Sequence, residues 1–143
     1  LPVYVHPEDA FMLVDGSGVS PESQQLFDAA SMPPVKESRD LVGGETLSVA
    51  GLEFELLHAP GHSPGCVMLV AEDIALTGDV LFRGSIGRTD LPHSDPAAMQ
   101  RSLRGPVWGL DDGLAILPGH GPTSTMRRER ATNPFLIAAG DVL

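Results

Sequence analysis

The stretch Leu56-Leu57-His58-Ala59-Pro60-Gly61-His62-Ser63-Pro64-Gly65 passes from an apolar, strand-like run into a turn rich in proline and glycine that carries an imidazole. Two further stretches repeat this order: Ile74-Ala75-Leu76-Thr77-Gly78-Asp79 and Ala115-Ile116-Leu117-Pro118-Gly119-His120. Each stretch alone is also typical of an ordinary polar turn. Their repetition favours one shared metal site at strand ends, because two imidazoles and a carboxylate suit zinc or iron. The predicted ligands are His62, Asp79 and His120.

Outside these stretches, helix-like and strand-like segments alternate along the chain. Helices are predicted where a capping residue precedes a proline and at one later segment; they begin at Pro7, Pro21, Pro96 and near Ser124, and the last stops before Pro134. Strands are predicted from short apolar or alternating runs; they span residues 3–5, 46–49, 52–56, 66–70, 74–77 and 114–117. Residues 33–44 predict an irregular loop. This mixture predicts one domain, residues 1–143, of the α/β or α+β class around a mixed sheet.

The charge is strongly negative and unevenly distributed. The 143 residues include 9 Lys or Arg and 19 Asp or Glu, which gives a net charge of −10. Residues 1–80 hold 13 acidic and 2 basic side chains (balance −11), whereas residues 81–143 hold 6 and 7 (balance +1). Repulsion from phosphate excludes general binding to nucleic acids or anionic membranes, whereas the second half can receive an anionic small molecule.

Cysteine content and hydropathy suggest the compartment. The chain has one cysteine, Cys66, which cannot form an internal disulfide, and this fits a reducing compartment. The longest apolar run, residues 66–71, is far shorter than the roughly 20 residues of a membrane helix. We therefore expect a cytoplasmic protein whose partners include neither nucleic acid nor a membrane.

Four ordered segments resemble one enzyme family. They are residues 60–65, 77–92, 117–125 and 128–136. Together they resemble the metallo-β-lactamase superfamily, in particular its glyoxalase II-like (hydroxyacylglutathione hydrolase-like) members. The resemblance implies an αββα sandwich with a binuclear metal centre. It also implies that His62 binds the first ion, that Asp79 bridges both ions and that His120 binds the second.

The resemblance implies a reaction as well. The ions are zinc in the complete site, with iron or manganese as alternatives, and a water between them loses its proton near neutral pH. The metal-bound hydroxide attacks the carbonyl of a small-molecule S-hydroxyacyl thioester, and Asp79 is catalytic as the bridging ligand. Arg88 is implied to bind substrate by receiving the carboxylate of the thiol carrier. From the residues alone, an ion pair between Arg88 and Asp90 is the alternative.

One family motif, His-x-His-x-Asp-His, is absent from the 143 residues. It supplies further ligands and lies before the stretch that Leu1 matches, whereas His6 is followed by Pro-Glu-Asp. We expect the chain to be the C-terminal portion of a longer enzyme, completed by that N-terminal segment or by a homo-oligomer partner. The alternatives are a persulfide dioxygenase-like iron enzyme, which shares the Gly-Arg-Thr-Asp segment at 87–90, and a truncated or degenerate chain without catalysis.

Three other features receive structural interpretations. Proline and glycine at positions 60 and 61 exclude a helix between His58 and His62, so His58 is expected to be a supporting residue and not a ligand. Cys66 is expected to be a buried thiol. A solvated helix face is expected for Arg127, Arg128 and Arg130.

Overall fold

The structure is a computed structural model and describes residues 1–16 and 18–142. Its strands are β1 (Val3–Val5), β2 (Ser38–Asp40), β3 (Thr46–Val49), β4 (Leu52–His58), β5 (Val67–Val70), β6 (Ile74–Gly78), β7 (Leu81–Phe82), β8 (Ser85–Ile86), β9 (Ala115–Pro118) and β10 (Ser124–Thr125). Its α-helices are α1 (Met12–Asp15), α2 (Pro21–Phe27), α3 (Pro96–Ser102), α4 (Met126–Thr132) and α5 (Pro134–Gly140). Two short 3₁₀ helices span Pro7–Asp9 and Ala29–Ser31, and a π-helical turn spans Leu103–Val107.

The main sheet has, within the described residues, the strand order β10-β9-β6-β5-β4-β3. Neighbouring strands are antiparallel except β6 and β9, which run parallel with Ile74 opposite Ala115. Because β4 and β6 are both antiparallel to β5, the strands β4, β6 and β9 all run in the same direction. The segments that follow these three strands therefore leave the sheet at the same end.

The hairpin of β3 and β4 shows why the local sequence forms this sheet. Ala50 and Gly51 connect the strands with φ angles of 52° and 82°. Two residues with positive φ form the type I′ turn, whose twist matches that of paired antiparallel strands. Along β4, Phe54 and Leu56 are buried whereas Glu55 between them is exposed, as expected for a strand with one face toward the protein interior.

Helices and strands contribute to one hydrophobic core. Three of the helices begin at a side chain that accepts a hydrogen bond from the first backbone N–H groups: Asp95 caps α3, Thr125 caps α4 and Asn133 caps α5. Burial of each large apolar side chain contributes about 1.5–3 kcal/mol. The largest fully buried members of the core cluster are Met68, Leu81, Met99, Leu103, Ile116, Met126 and Leu136.

The predicted α/β class with a mixed sheet is confirmed, but the structure also contains elements that the sequence did not predict, among them the short strands β7, β8 and β10. Residues 33–44, predicted as a loop, contain β2, which pairs in parallel with β1. His6 caps only a short 3₁₀ helix, and α1 follows as a separate element. Asn133 and Pro134 end α4 as predicted, but they also begin α5, because Asn133 Oδ1 accepts from the backbone N–H groups of two following residues.

In the ranges described, no helix combines the length and apolar character that crossing a membrane would require.

Candidate metal centre

Three segments meet at the end of the main sheet where β4, β6 and β9 finish. The loop after β4 carries His62, Asp79 directly follows β6, and His120 lies two residues after β9. The backbone N–H of Gly119 donates to the carbonyl oxygen of Gly78 at 2.8 Å, which extends the parallel pairing beyond the strands. The proximity of Asp79 and His120 therefore follows directly from the strand register.

The Asp79 carboxylate lies between two imidazoles. Nε2 of His62 is 3.5 Å from Oδ2 of Asp79, and Nδ1 of His120 is 3.2 Å from Oδ1. The Asp79 side chain is 34% exposed, that of His62 21% and that of His120 72%, so the group is open to solvent on the His120 side. Each imidazole thus faces a different oxygen of the carboxylate, and the bridging role of Asp79 stays a prediction.

Contacts behind the imidazoles orient them toward Asp79. Nδ1 of His62 lies 2.9 Å from the carbonyl oxygen of Arg88, an acceptor that favours the tautomer with the proton on Nδ1. The Nε2 lone pair of His62 then faces the carboxylate, which is the usual arrangement for a metal-ligating histidine. The ring of His120 packs against Phe82 with centroids 4.6 Å apart.

Two glycines allow the close backbone approach that the group around Asp79 requires. A Cβ at Gly87 would lie 1.8 Å from the carbonyl oxygen of Asp79 and 3.1 Å from Cβ of His62. A Cβ at Gly119 would lie 2.6 Å from Oδ1 of Asp79. Gly87 does not accommodate a methyl group, because the close neighbour is backbone, whereas a methyl group at position 119 would displace the Asp79 carboxylate.

The Asp9 carboxylate holds the loop that carries His62. Its Oδ2 accepts from the hydroxyl of Ser63 at 2.5 Å, and its Oδ1 accepts from the backbone N–H of Gly65 at 2.7 Å. The same hydroxyl of Ser63 lies 3.0 Å from the sulfur of Cys66. Burial raises the pKa of the Cys66 thiol, although this thiol is only partly buried and not fully buried as predicted. The sequence did not point to Asp9, because nothing local indicates a contact with a loop more than fifty residues away.

His58 lies beside this loop and not among the candidate ligands around Asp79. Its Nε2 lies 2.8 Å from the carbonyl oxygen of Pro64, and its ring stacks on that of His6 with centroids 4.1 Å apart. A supporting contact to the loop is what the sequence predicted for His58.

Arg88 forms the ion pair that was the alternative prediction. Its Nε and Nη2 donate to the two oxygens of Asp90 at 2.7 and 2.9 Å, and both side chains are largely exposed. These hydrogen bonds raise the pKa of Arg88 and lower that of Asp90. A contact between Arg88 and substrate stays a prediction. His62 lines a cavity of about 180 Å³. Other residues that line this cavity are Met12, Val19, Ser20, Leu91 and Pro92.

The expectation for the arginine cluster was wrong at one residue. Arg127 and Arg128 are exposed, as predicted. Arg130 instead donates to the carbonyl oxygens of Trp108 and Leu110 at 3.0 and 2.7 Å, and its guanidinium lies 4.9 Å from the centre of the Trp108 ring. Arg130 therefore links α4 to the segment before β9, because the two carbonyl oxygens accept hydrogen bonds from its guanidinium.

Known proteins are similar to this chain in sequence. The model of the metallo-beta-lactamase superfamily matches residues 1–120. The hydroxyacylglutathione hydrolase GloC of Haemophilus influenzae is 44% identical over 95 residues, which are 65% of this chain and 45% of that protein. Curated relatives that match 94% of this chain are longer, and the chain spans 64% of their length.

Solved structures share the fold. The crystal structure of the BLEG-1 B3 metallo-beta-lactamase has a TM-score of 0.82 at 34% identity, covering 95% of this chain and 65% of that chain. The structure of TTHA1623 in a di-iron-bound form has a TM-score of 0.78 at 39% identity, covering 94% and 65%. The fold expected from the sequence is thus confirmed. On the family match and these similarities, the chain belongs to the metallo-beta-lactamase superfamily.

Proposed function

We propose that this chain supplies His62, Asp79 and His120 to the metal centre of a thioester hydrolase of the glyoxalase II type. The observation that carries the proposal is the arrangement around Asp79, where two imidazoles lie 3.5 and 3.2 Å from different carboxylate oxygens. Membership of the superfamily supports a metallo-hydrolase. The 44% identity to GloC, named a hydroxyacylglutathione hydrolase, supports a thioester of a small thiol carrier as the substrate.

The donor set suits borderline divalent ions, since imidazole and carboxylate both bind zinc, iron and manganese. We propose zinc as the resident metal, with iron and manganese as alternatives; the di-iron form of TTHA1623, 39% identical to this chain, supports iron. When bound, such ions supply Lewis-acid activation of a water and of the thioester carbonyl. The remaining ligands are proposed to come from a segment bearing His-x-His-x-Asp-His or from a partner subunit.

The protein's own groups have defined tasks in this reaction. The carbonyl of Arg88 keeps the His62 proton on Nδ1, so that Nε2 stays free to act as a ligand. Asp79 would hold the metal together with the two histidines, because each of its oxygens faces one imidazole. The leaving thiolate is a weak base, so this chain need not provide a proton donor for it.

The cavity beside His62 and the guanidinium of Arg88 are proposed to bind the substrate. The cavity has a volume of about 180 Å³ and is lined by polar residues such as Ser23 and by apolar residues such as Leu91, which suits a small hydroxyacyl group. Arg88 lies on the neighbouring segment and is already oriented by two hydrogen bonds to the Asp90 carboxylate. A carboxylate of the thiol carrier would replace that of Asp90 with the same bidentate geometry.

The test is hydrolysis of S-lactoylglutathione by the chain supplied with a segment that bears His-x-His-x-Asp-His and loaded with zinc, iron or manganese. We expect turnover that requires both the segment and the metal. Asp79→Asn should lower kcat/KM by about a thousandfold, since it removes several kcal/mol of metal-dependent stabilisation. The matched control is Asp73→Asn, in the exposed turn between β5 and β6, which should leave activity unchanged.

Arg88→Ala should act differently, by raising KM about tenfold with little change in kcat, because it removes a charge-assisted contact to bound substrate. Equal losses in Asp79→Asn and Arg88→Ala would contradict the bridging role of Asp79. Oxygen consumption with glutathione persulfide, without thioester hydrolysis, would replace this proposal with a dioxygenase. Neither activity in a metal-loaded, segment-supplied protein would favour a chain that has lost catalysis.

A further inference from the structure

A second group of metal-type side chains lies outside the group around Asp79. Among the residues that the structure describes, His6, Glu8 and His58 each offer one ligand atom, and these atoms all lie within 4.8 Å of one another. Nothing in the family resemblance or in the sequence motifs involves these three residues together. His6 and Glu8 belong to the N-terminal 3₁₀ segment, whereas His58 ends β4.

We propose that His6, Glu8 and His58 form a second binding site for a divalent cation of the zinc class. Oε2 of Glu8 lies 3.4 Å from Nε2 of His58 and 3.8 Å from Nδ1 of His6. Ligands bound tetrahedrally at zinc distances are separated by about 3.3 Å. The Glu8 oxygen therefore lies close to the separation of paired zinc ligands from each imidazole nitrogen, and side-chain rotation completes the approach.

Local structure holds this group in place before any ion binds. The ring of His6 stacks on that of His58 with centroids 4.1 Å apart and an angle of 8° between the planes. The His6 side chain is 10% exposed and that of His58 32%, whereas Glu8 is 57% exposed. The stack holds the two imidazoles side by side, and because their planes are nearly parallel, one ring must rotate before both nitrogens face the same ion. The carboxylate on the solvent side leaves a path for an ion and for a water ligand.

The charge around the group favours a cation and the neutral ligand form of His6. Burial, followed by the positive charge of a protonated His58, lowers the pKa of His6, although Glu8, Asp9 and Asp40 act in the opposite direction. A neutral imidazole is the form that binds metal. The same three carboxylates provide the negative potential that attracts a divalent ion to this end of the chain.

Binding here competes with two existing hydrogen bonds. Nε2 of His58 donates to the carbonyl oxygen of Pro64 at 2.8 Å, and Nδ1 of His6 accepts from the backbone N–H of Glu8 at 3.2 Å. Coordination through Nε2 moves the ring proton of His58 to Nδ1 and leaves Pro64 without this donor. Because Pro64 lies in the loop that carries His62, an ion at the second site also acts on the loop of the first.

The test is titration with Zn²⁺ alone of a variant that lacks the first donor set, His62→Ala/Asp79→Ala/His120→Ala. We expect one zinc per chain, measured by elemental analysis after equilibrium dialysis. Adding His58→Ala or Glu8→Gln to the triple variant should weaken zinc binding by more than about tenfold. Mutating residues that only support a metal ligand already lowers metal affinity by that factor. The matched control is Glu72→Gln, in the exposed turn between β5 and β6, which should leave zinc affinity unchanged.

A second measurement does not depend on the triple variant. Side-chain ¹⁵N spectra of the unmodified chain should show zinc-dependent shifts at the imidazole nitrogens of both His6 and His58, including loss of the Nε2 proton of His58. Imidazole signals of His6 and His58 that stay unmoved at saturating zinc would overturn the proposal. Equal zinc affinity in the Glu8→Gln and Glu72→Gln variants would overturn it as well.

Discussion

Within the described residues, the fold brings together two groups of potential metal ligands, and it does so in different ways. His62, Asp79 and His120 follow three strands that run in the same direction, so the strand register of one sheet sets their distances. His6, Glu8 and His58 meet because an N-terminal 3₁₀ segment packs against the end of β4. The first group therefore depends on the sheet and on the contacts of the loop after β4, whereas the second depends on the packing of a short segment.

Gly87→Ala should give the largest difference in metal binding between the two groups. The added Cβ would lie 1.8 Å from the carbonyl oxygen of Asp79, so the 83–92 segment must move away from His62. We expect about 1–3 kcal/mol less unfolding free energy in urea and loss of metal binding at the first group. The matched control is Gly105→Ala, whose Cβ meets no atom within 4 Å. Unchanged metal binding in Gly87→Ala would contradict the close approach as a requirement.

The sequence predicts the first group because each of its members follows the same local order of apolar strand, glycine and ligand. It cannot predict the second, because His6 and His58 are more than fifty residues apart and neither sits in a metal-like local pattern. The missed β2 has a related cause. Ser38-Arg39-Asp40 shows no apolar alternation, and all three residues are exposed, so only pairing with β1 makes them a strand. Arg130 escaped prediction because its carbonyl acceptors lie about twenty residues earlier.

Asp9→Asn should weaken the connection between the two groups, because Asp9 lies in the N-terminal segment and binds the loop of His62. Loss of charge-assisted hydrogen bonds to Ser63 and Gly65 should lower the unfolding free energy by about 1.5–3 kcal/mol. Hydrogen exchange at the Gly65 amide should become faster, while Asp73→Asn serves as the control. An unchanged exchange rate at Gly65 would mean that the loop is held without Asp9.

The smallest effect is expected at Cys66. Its sulfur lies next to Ser63 in the loop that carries His62, and His58 contacts the same loop at Pro64. Because burial raises the pKa of its thiol, the folded chain should react with iodoacetamide at pH 8 more slowly than the chain unfolded in urea. Above pH 9 the unfolded chain releases the thiol proton before the folded chain does, so stability falls as pH rises through that range. Mass spectrometry measures the alkylation rates, and equal rates in the folded and unfolded chains would contradict the raised pKa.

The parallel pairing of β6 with β9 has a consequence for the order of folding. Strands β3 to β6 pair with their neighbours in sequence, whereas β9 reaches β6 only after residues 79–114 have formed a crossover. Contacts across such a long loop form slowly, because the entropy of loop closure is lost before the contacts are gained. Asp79 and His120 therefore come together late in folding. We expect ion uptake by this pair to follow the slowest folding step, so the nascent chain acquires its metal only once the sheet is complete.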